Sequence, residues 1–188
     1  MIRLRWPEEL VRLTGAECVW LPPGRLGELA GGLRAAGLGP LGAALLAPRA
    51  RLALGAEIVH ADPDLELPDG AEVALQVPPL RPEDHLTPEA CRECLERGAR
   101  LVDVREAEEF ALGRIAGAES RPLSGFPEVI RDLLAGADRE PIFVCRSGTR
   151  TICALVLYRL WGRDDGKHLA GGLKAWQALY PIEGLPVA

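Results

Sequence analysis

Residues 1–80 alternate short apolar segments with breaks that are rich in glycine and proline. Ile2, Leu4 and Trp6 lie at every second position, which predicts a first strand with these side chains on one face. Apolar residues at helical spacing predict a helix over residues 26–33. The same patterns predict a strand over 18–21, a short helix over 41–46, a strand within 52–59 and a last strand over 71–77. This order predicts an α+β domain in which one helix covers one sheet.

Residues 87–188 begin with signals for a helix start. Thr87 supplies an N-cap hydroxyl and Pro88 takes the first helical position, so we predict a helix that ends at Arg97, before Gly98. Later apolar runs predict strands over 100–104, 142–144 and 167–169, and helices over 127–134, 151–161 and 173–179.

A proline-rich stretch separates the two halves of the chain. Residues 78–85 contain three prolines and several charges, which predicts an extended and semi-rigid segment. We therefore place one domain at residues 1–80, a linker at 81–86 and a second domain at 87–188.

A cysteine begins the short loop between the strand over 142–144 and the helix over 151–161. At such a loop several backbone N–H groups point inward, close to the positive end of the helix dipole. Arg146 and Arg150 add two positive charges. The loop therefore favours the thiolate form of the cysteine and stabilises an anion carried on its sulfur. Four residues separate Cys145 from Arg150. We expect this small ring of amides to fit one extra sulfur atom and to exclude a phosphoryl group. The candidate residues are Cys145 as nucleophile and Arg146, Ser147, Gly148, Thr149 and Arg150 as the surrounding loop.

Four segments in order resemble the rhodanese family of sulfurtransferases. They are LVDVRE at 101–106, Glu109-Phe110 followed by GRIAGA at 113–118, the CRSGTR loop at 145–150, and LAGG at 169–172 with Trp176 and the GLP at 184–186. The resemblance covers residues 85–188, with Arg114 where many members have histidine. It implies an α/β domain with a mainly parallel sheet and helices on both faces. Asp103 and Arg105, at the end of the strand predicted over 100–104, are expected to form a supporting ion pair beside the loop.

The resemblance implies a covalent cycle on Cys145. Its thiolate takes sulfur from thiosulfate or from the persulfide of another protein, such as a cysteine desulfurase, and a nucleophilic acceptor then removes the sulfur. The persulfide makes a further cofactor unnecessary. Cys91 and Cys94 have metal-ligand spacing, but a zinc site needs two more ligands and no second pair exists, so we predict no metal. Cys153 is expected to fill the core.

The first domain resembles the MoaD/ThiS sulfur carriers of molybdopterin and thiamine synthesis. The resemblance rests mainly on the segment LPDGAEVAL at residues 67–75 and on Pro78-Pro79 after it. Residues 2–4 and 25–29 also resemble the family. The family implies a ubiquitin-like β-grasp fold. Its members end in a free diglycine, whereas this chain continues past Pro79, so carrier chemistry on a terminal carboxylate is not expected. Instead, the domain is expected to dock onto an adenylating enzyme of the MoeB/ThiF type and to deliver sulfur for molybdopterin, thiamine or thio-tRNA synthesis.

Composition narrows the function further. A formal net charge of −5 disfavours a nucleic-acid surface, and no stretch is apolar enough to cross a membrane. The start does not resemble a signal peptide, and five cysteines without framework spacing favour a reducing cytoplasm. Two alternatives stay open: a module that senses an anion or oxidant without turnover, and a small phosphatase or arsenate reductase with a similar cysteine loop.

Overall fold

A computed structural model describes residues 1–126, 128–135 and 139–184. Pro127, predicted to begin a helix, and Leu185-Pro186 of the closing motif lie outside these residues. The chain divides into two compact units, Met1–Pro79 with Val156–Arg163, and Leu80–Leu155 with Asp164–Ala188. No helix in the described part of the chain combines the length and apolar content that crossing a bilayer requires.

The first unit contains seven short strands and three helices before residue 80. In chain order they are β1 (Ile2–Arg5), α1 (Glu8–Thr14), β2 (Cys18–Leu21), β3 (Gly24–Arg25), α2 (Leu26–Ala35), α3 (Gly39–Leu45), β4 (Arg51–Leu54), β5 (Glu57–His60), β6 (Glu66–Leu67) and β7 (Glu72–Gln76).

Five of these strands form one mixed sheet in the order β2-β1-β7-β4-β5, and β3 pairs with β6 apart from it. The central strands β1 and β7 run parallel, with Leu4 opposite Val73, while the other pairings in the sheet are antiparallel. Every second residue of β1 is buried, as the alternating pattern predicts. Helix α2 buries Leu26, Leu29 and Leu33, the residues whose spacing predicted it.

Two elements of the first unit differ from the sequence prediction. The strand candidate within 52–59 is a hairpin of β4 and β5, because Gly55 at φ +61° allows a tight turn between them. Helix α1 was not predicted, although Glu8 and Glu9 lie in its first turn and Gly15 ends it in the left-handed conformation.

From residue 80 on, the described residues contain five strands and five α-helices, most of them in the second unit. In chain order they are β8 (His85–Leu86), α4 (Pro88–Glu96), β9 (Arg100–Asp103), α5 (Ala107–Leu112), β10 (Glu119–Ser120), α6 (Glu128–Ala135), β11 (Pro141–Val144), α7 (Thr149–Leu160), β12 (Lys167–Leu169) and α8 (Gly172–Gln177).

A five-stranded sheet in the order β10-β9-β11-β12-β8 forms the centre of this unit, and every strand pairing in it is parallel. The predicted parallel sheet with helices is thus confirmed. Leu101 and Ile142 share one apolar cluster with residues of α4 and α8, including Cys91 and Trp176. The alternate strand residues are equally buried, so both faces of the sheet are covered.

The segment predicted as a linker, residues 81–86, takes regular structure. Pro82–Asp84 form a 3-10 turn, and the next two residues form β8 at the sheet edge. The backbone N–H of Arg81 donates to the Asp84 carboxylate at 2.5 Å, and the Arg81 guanidinium lies 3.2 Å from it. This ion pair closes the turn around a buried carboxylate, which composition alone does not reveal.

Candidate active site

The carboxyl ends of the parallel strands place Cys145 at the base of a surface loop. Strand β11 ends at Val144, which lies opposite Asp103 of β9. Cys145 follows at once with 1% of its surface exposed, and α7 begins at Thr149. Strand, loop and helix therefore follow in the order that the sequence predicts, with the cysteine at the edge where α/β sheets bind ligands.

The loop directs a backbone amide at the cysteine sulfur. The N–H of Gly148 donates to Cys145 Sγ at 3.2 Å. Gly148 has φ +93°, a conformation that a side chain disfavours, and it is buried. Arg146 and Ser147 are exposed, and Ser147 Oγ lies 3.5 Å from Thr149 Oγ1. The arrangement stabilises negative charge on the sulfur through a backbone dipole at a helix N-terminus.

Helix α8 closes tightly on the other side of the loop. The N–H of Leu173 donates to the Cys145 carbonyl at 2.7 Å, and the N–H of Lys174 donates to the Arg146 carbonyl at 3.1 Å. A Cβ atom on Gly172 would lie 2.3 Å from the Cys145 carbonyl oxygen. Gly172 of the LAGG segment is therefore a steric requirement of the cysteine loop.

Arg150 forms a two-point ion pair with Glu109. Its Nη1 and Nη2 atoms lie 2.5 Å and 2.7 Å from the two carboxylate oxygens. The hydrogen bonds from Arg150 lower the pKa of Glu109 to about 2, and the pair raises the pKa of Arg150. The sequence assigns Arg150 to the loop but does not identify Glu109 as its partner. Glu109 belongs to the Glu-Phe signature, and that signature was the available signal.

Asp103 and Arg105 form a buried ion pair behind the loop. Arg105 Nη2 donates to Asp103 Oδ2 at 2.7 Å, and both side chains are at least 95% buried. The same guanidinium donates to the carbonyls of Glu109 at 3.1 Å and Gly113 at 2.7 Å. The pair therefore supports the C-terminal part of α5, the helix whose Glu109 carboxylate holds Arg150.

A groove of about 410 Å³ opens beside the loop. Its lining contains three cationic side chains and one carboxylate, which favours an anionic ligand. The lining residues are Arg105, Glu109, Leu112, Gly113, Arg146, Leu173, Lys174, Gln177 and Ile182. Lys174 was not predicted as a site residue, since its position in α8 approaches the loop only in the folded chain.

A line of hydrogen bonds connects the loop to a pair of histidines. Thr151 Oγ1 donates to the Gly148 carbonyl at 2.7 Å and lies 3.1 Å from His168 Nδ1, while His168 Nε2 lies 2.7 Å from His85 Nδ1. Burial and the neighbouring His85 lower the pKa of His168 to about 4. His85 and His168 are 83 residues apart in the sequence, so only the fold brings them together.

The other cysteines of this unit lie in the core. Cys91, Cys94 and Cys153 are buried, and burial raises the pKa of Cys91 to about 12. The Cys153 thiol contacts the Thr149 carbonyl at 3.8 Å. No group of three or more potential ligands with metal-binding geometry occurs in residues 1–126, 128–135 and 139–184.

Comparison with known proteins covers this same unit. The family model of the rhodanese-like domain matches residues 87–179. The thiosulfate sulfurtransferase GlpE of Pseudomonas paraeruginosa is 33% identical over 100 residues, which are 52% of this chain and 87% of that protein. The probable adenylyltransferase/sulfurtransferase MoeZ of Mycobacterium tuberculosis is 32% identical over 93 residues, 48% of this chain and 24% of MoeZ.

Among solved structures, the chain is similar to the Alr3790 protein of Anabaena, with 26% sequence identity and a TM-score of 0.47. The match covers 54% of this chain and 94% of that one. The matched family segment includes the whole cysteine loop, and the identity to GlpE extends over most of that protein's length. The chain therefore belongs to the rhodanese-like family, and the predicted enzyme class, a rhodanese-type sulfurtransferase, is confirmed.

Proposed function

We propose that Cys145 carries sulfane sulfur from an anionic donor to a nucleophilic acceptor. The observation that carries this proposal is the Gly148 amide directed at Cys145 Sγ, 3.2 Å away, in a loop that borders a cationic groove. A thiolate in this position attacks, and a persulfide in this position keeps its negative charge stabilised. Thiosulfate is the donor in the name of the Pseudomonas relative, and its charge suits the groove.

The transfer balances in two steps. The Cys145 thiolate attacks the outer sulfur of thiosulfate, the S–S bond breaks with its electron pair on the departing sulfite, and a cysteine persulfide remains. A thiolate or cyanide then attacks the outer persulfide sulfur and regenerates the Cys145 thiolate. A protein persulfide, such as that of a cysteine desulfurase, enters the same scheme with a protein thiolate as leaving group. No further cofactor takes part.

The surrounding residues divide into two groups. Arg146, Ser147 and Gly148 form the loop around the sulfur, Thr149 begins α7 beside it, and exposed Arg146 meets the donor in the groove. Arg150 acts chiefly by holding the loop to α5, because its guanidinium is engaged by Glu109. The Asp103–Arg105 ion pair supports α5 in turn.

Intact mass after incubation with thiosulfate tests the proposal. We expect a gain of one sulfur atom that cyanide removes, and no gain in Cys145→Ser. Cys18→Ser is the matched control, because Cys18 lies in β2 of the first unit, and it should still gain sulfur. No gain with thiosulfate or with a cysteine desulfurase and cysteine would refute transfer and leave an anion-sensing module. Hydrolysis of an aryl phosphate by the same loop would favour the phosphatase alternative.

We also propose that residues 1–80 form a ubiquitin-like β-grasp domain related to the MoaD/ThiS carriers. Its sheet order supports this assignment, since parallel β1 and β7 lie at the centre and β2 and the β4–β5 hairpin flank them antiparallel. The name of MoeZ joins adenylyltransferase and sulfurtransferase activities. The proposed domain limits are 1–80 and 87–188, with β8 just before residue 87 added to the sheet of the second domain.

Such a domain docks onto an adenylating enzyme of the MoeB/ThiF type and raises the local concentration of the persulfide there. Sulfur delivery for molybdopterin, thiamine or thio-tRNA synthesis would follow. Pull-down of a purified adenylating enzyme with the full chain tests the docking. Binding by both the wild type and Cys145→Ser supports the docking, because that variant keeps the first unit intact. If neither the wild type nor Cys145→Ser binds the enzyme, the idea is refuted.

A further inference from the structure

Four consecutive contacts lead from the cysteine sulfur to the edge of the sheet. The Gly148 N–H reaches the sulfur at 3.2 Å, and the Gly148 carbonyl accepts from Thr151 at 2.7 Å. Thr151 contacts His168 at 3.1 Å, and His168 contacts His85 at 2.7 Å. His168 is 3% exposed, whereas His85 on edge strand β8 is exposed.

The chemistry of the groups fixes the direction of these hydrogen bonds. Thr151 has one hydroxyl proton and donates it to the Gly148 carbonyl, so its oxygen must accept from His168 Nδ1–H. A neutral imidazole with its proton on Nδ1 has a bare Nε2. His85 therefore donates from its Nδ1–H to His168 Nε2.

These hydrogen bonds are important for Gly148 because that residue has no side chain to restrict its backbone conformation. Gly148 lies at φ +93°, in a region that glycine enters without strain and leaves as easily. A fixed hydrogen bond on its carbonyl restricts its backbone, and the N–H on the same residue is the group that reaches the sulfur.

We propose that His168 is a positioning residue of the sulfur-carrying loop, which acts through Thr151 and Gly148 to hold the amide on Cys145. The proposal rests on the proposed function in that the loop it positions is the persulfide cradle. His168 does not touch the sulfur or the groove, and its contribution lies in donating from Nδ1.

The surroundings of His168 keep it in the neutral form that this direction requires. His85 faces it from β8, Thr151 faces it from α7, and neighbouring β11 places Phe143 at the paired position. Asp84 of the 3-10 turn is the nearby carboxylate, and it is bound to Arg81. Burial disfavours a charged ring, so near neutral pH the ring keeps the single proton that Thr151 accepts.

Two substitutions separate positioning from packing. His168→Asn keeps an N–H donor near the position of Nδ1, whereas His168→Leu fills the site without a donor. The readout is the rate at which iodoacetamide alkylates Cys145 at pH 7, resolved by peptide mass spectrometry in the full chain. This assay needs no sulfur donor, so its result is independent of whether transfer occurs.

We expect His168→Leu to slow alkylation of Cys145 about threefold to tenfold, which corresponds to about 0.6–1.4 kcal/mol and matches the loss of one hydrogen bond. His168→Asn should restore the rate to within about twofold. Leu133→Ala, at a buried position of helix α6, controls for general destabilisation and should leave the rate unchanged. Equal slowing in the Leu and Asn variants, or no slowing in either, overturns the proposal. Slowing in His168→Leu without any persulfide in the wild type would sustain positioning and refute transfer.

Discussion

Replacement of Asp103 by asparagine removes one charge from the buried ion pair and keeps the side-chain shape. The carboxylate accepts from the Arg105 backbone N–H at 3.0 Å and from Nε and Nη2 of its guanidinium. Asparagine retains one oxygen and presents an NH₂ group to the guanidinium, where donor meets donor. The Arg105 charge then remains buried without its partner, while still donating to the carbonyls of Glu109 and Gly113.

The size of the effect follows from burial. Asp103 is fully buried and the Arg105 side chain is 5% exposed, so water cannot replace the lost charge. Breaking such a pair costs about 3–5 kcal/mol of the free energy of unfolding. The retained oxygen places Asp103→Asn near the lower end of this range.

Glu96→Gln is the matched control on α4. It makes the same change of carboxylate to amide in the Arg92–Glu96 pair, whose side chains are 55% and 63% exposed. An exposed helix pair contributes about 0.3–0.5 kcal/mol, so this variant should be nearly as stable as the wild type.

Urea unfolding with hydrogen exchange of the β9 and β11 amides measures both variants in the unit that contains the pair. Native exchange in these strands should accelerate strongly in Asp103→Asn alone. Losses below about 1 kcal/mol in both variants would refute the assignment of a buried pair that supports the loop.

Three further changes test the site. Gly172→Ala and Gly117→Ala share positive φ values of 60° and 75°, but only the first meets a backbone oxygen at 2.3 Å, so only the first should abolish sulfur transfer in the thiosulfate–cyanide assay. Arg150→Lys loses the two-point contact with Glu109, and kcat/KM should fall about tenfold for one charge-assisted hydrogen bond; an unchanged value would contradict the role. The pKa of His168 falls from 6.5 to about 4 on folding, so between these pH values the unfolded chain binds a proton that the folded chain does not. The free energy of unfolding should therefore drop by about 3 kcal/mol as the pH falls from 6.5 to 4. His168→Asn should flatten this pH dependence, measured by urea unfolding.

Much of the secondary structure of the second unit could be predicted from local sequence signals. Thr87 caps α4 as predicted, with its Oγ1 accepting from the Ala90 N–H at 3.3 Å. The apolar run before Cys145 became buried β11, and α7 begins at the end of the loop. These features depend on residues close in sequence, which is why the strand, the loop and the helix start could be predicted. The glycine turn at Gly55 was equally local and was missed because two short strands read as one apolar run.

The partners of the loop could not be predicted in the same way. Glu109 and Arg150 are 41 residues apart, and their contact exists only because α5 follows β9 and α7 follows β11 in one sheet. His168 meets Thr151 across 17 residues for the same reason. A sequence pattern gives the residue type at each position, whereas parallel pairing decides which strand ends meet.

The cationic side chains at this site differ in whether they are buried or paired with a carboxylate. Arg105 is buried against Asp103, and Arg150 is bound at two points by Glu109, so neither gives an incoming anion a full positive charge. Arg146 is exposed and lines the groove with Lys174. A carboxylate paired with a cation cancels most of that cation's attraction for an incoming anion. The exposed cations therefore recognise the anionic donor, and the paired arginines maintain the conformation of the loop. The arginines look equivalent in the sequence, and only their partners in the fold separate recognition of the donor from support of the cysteine.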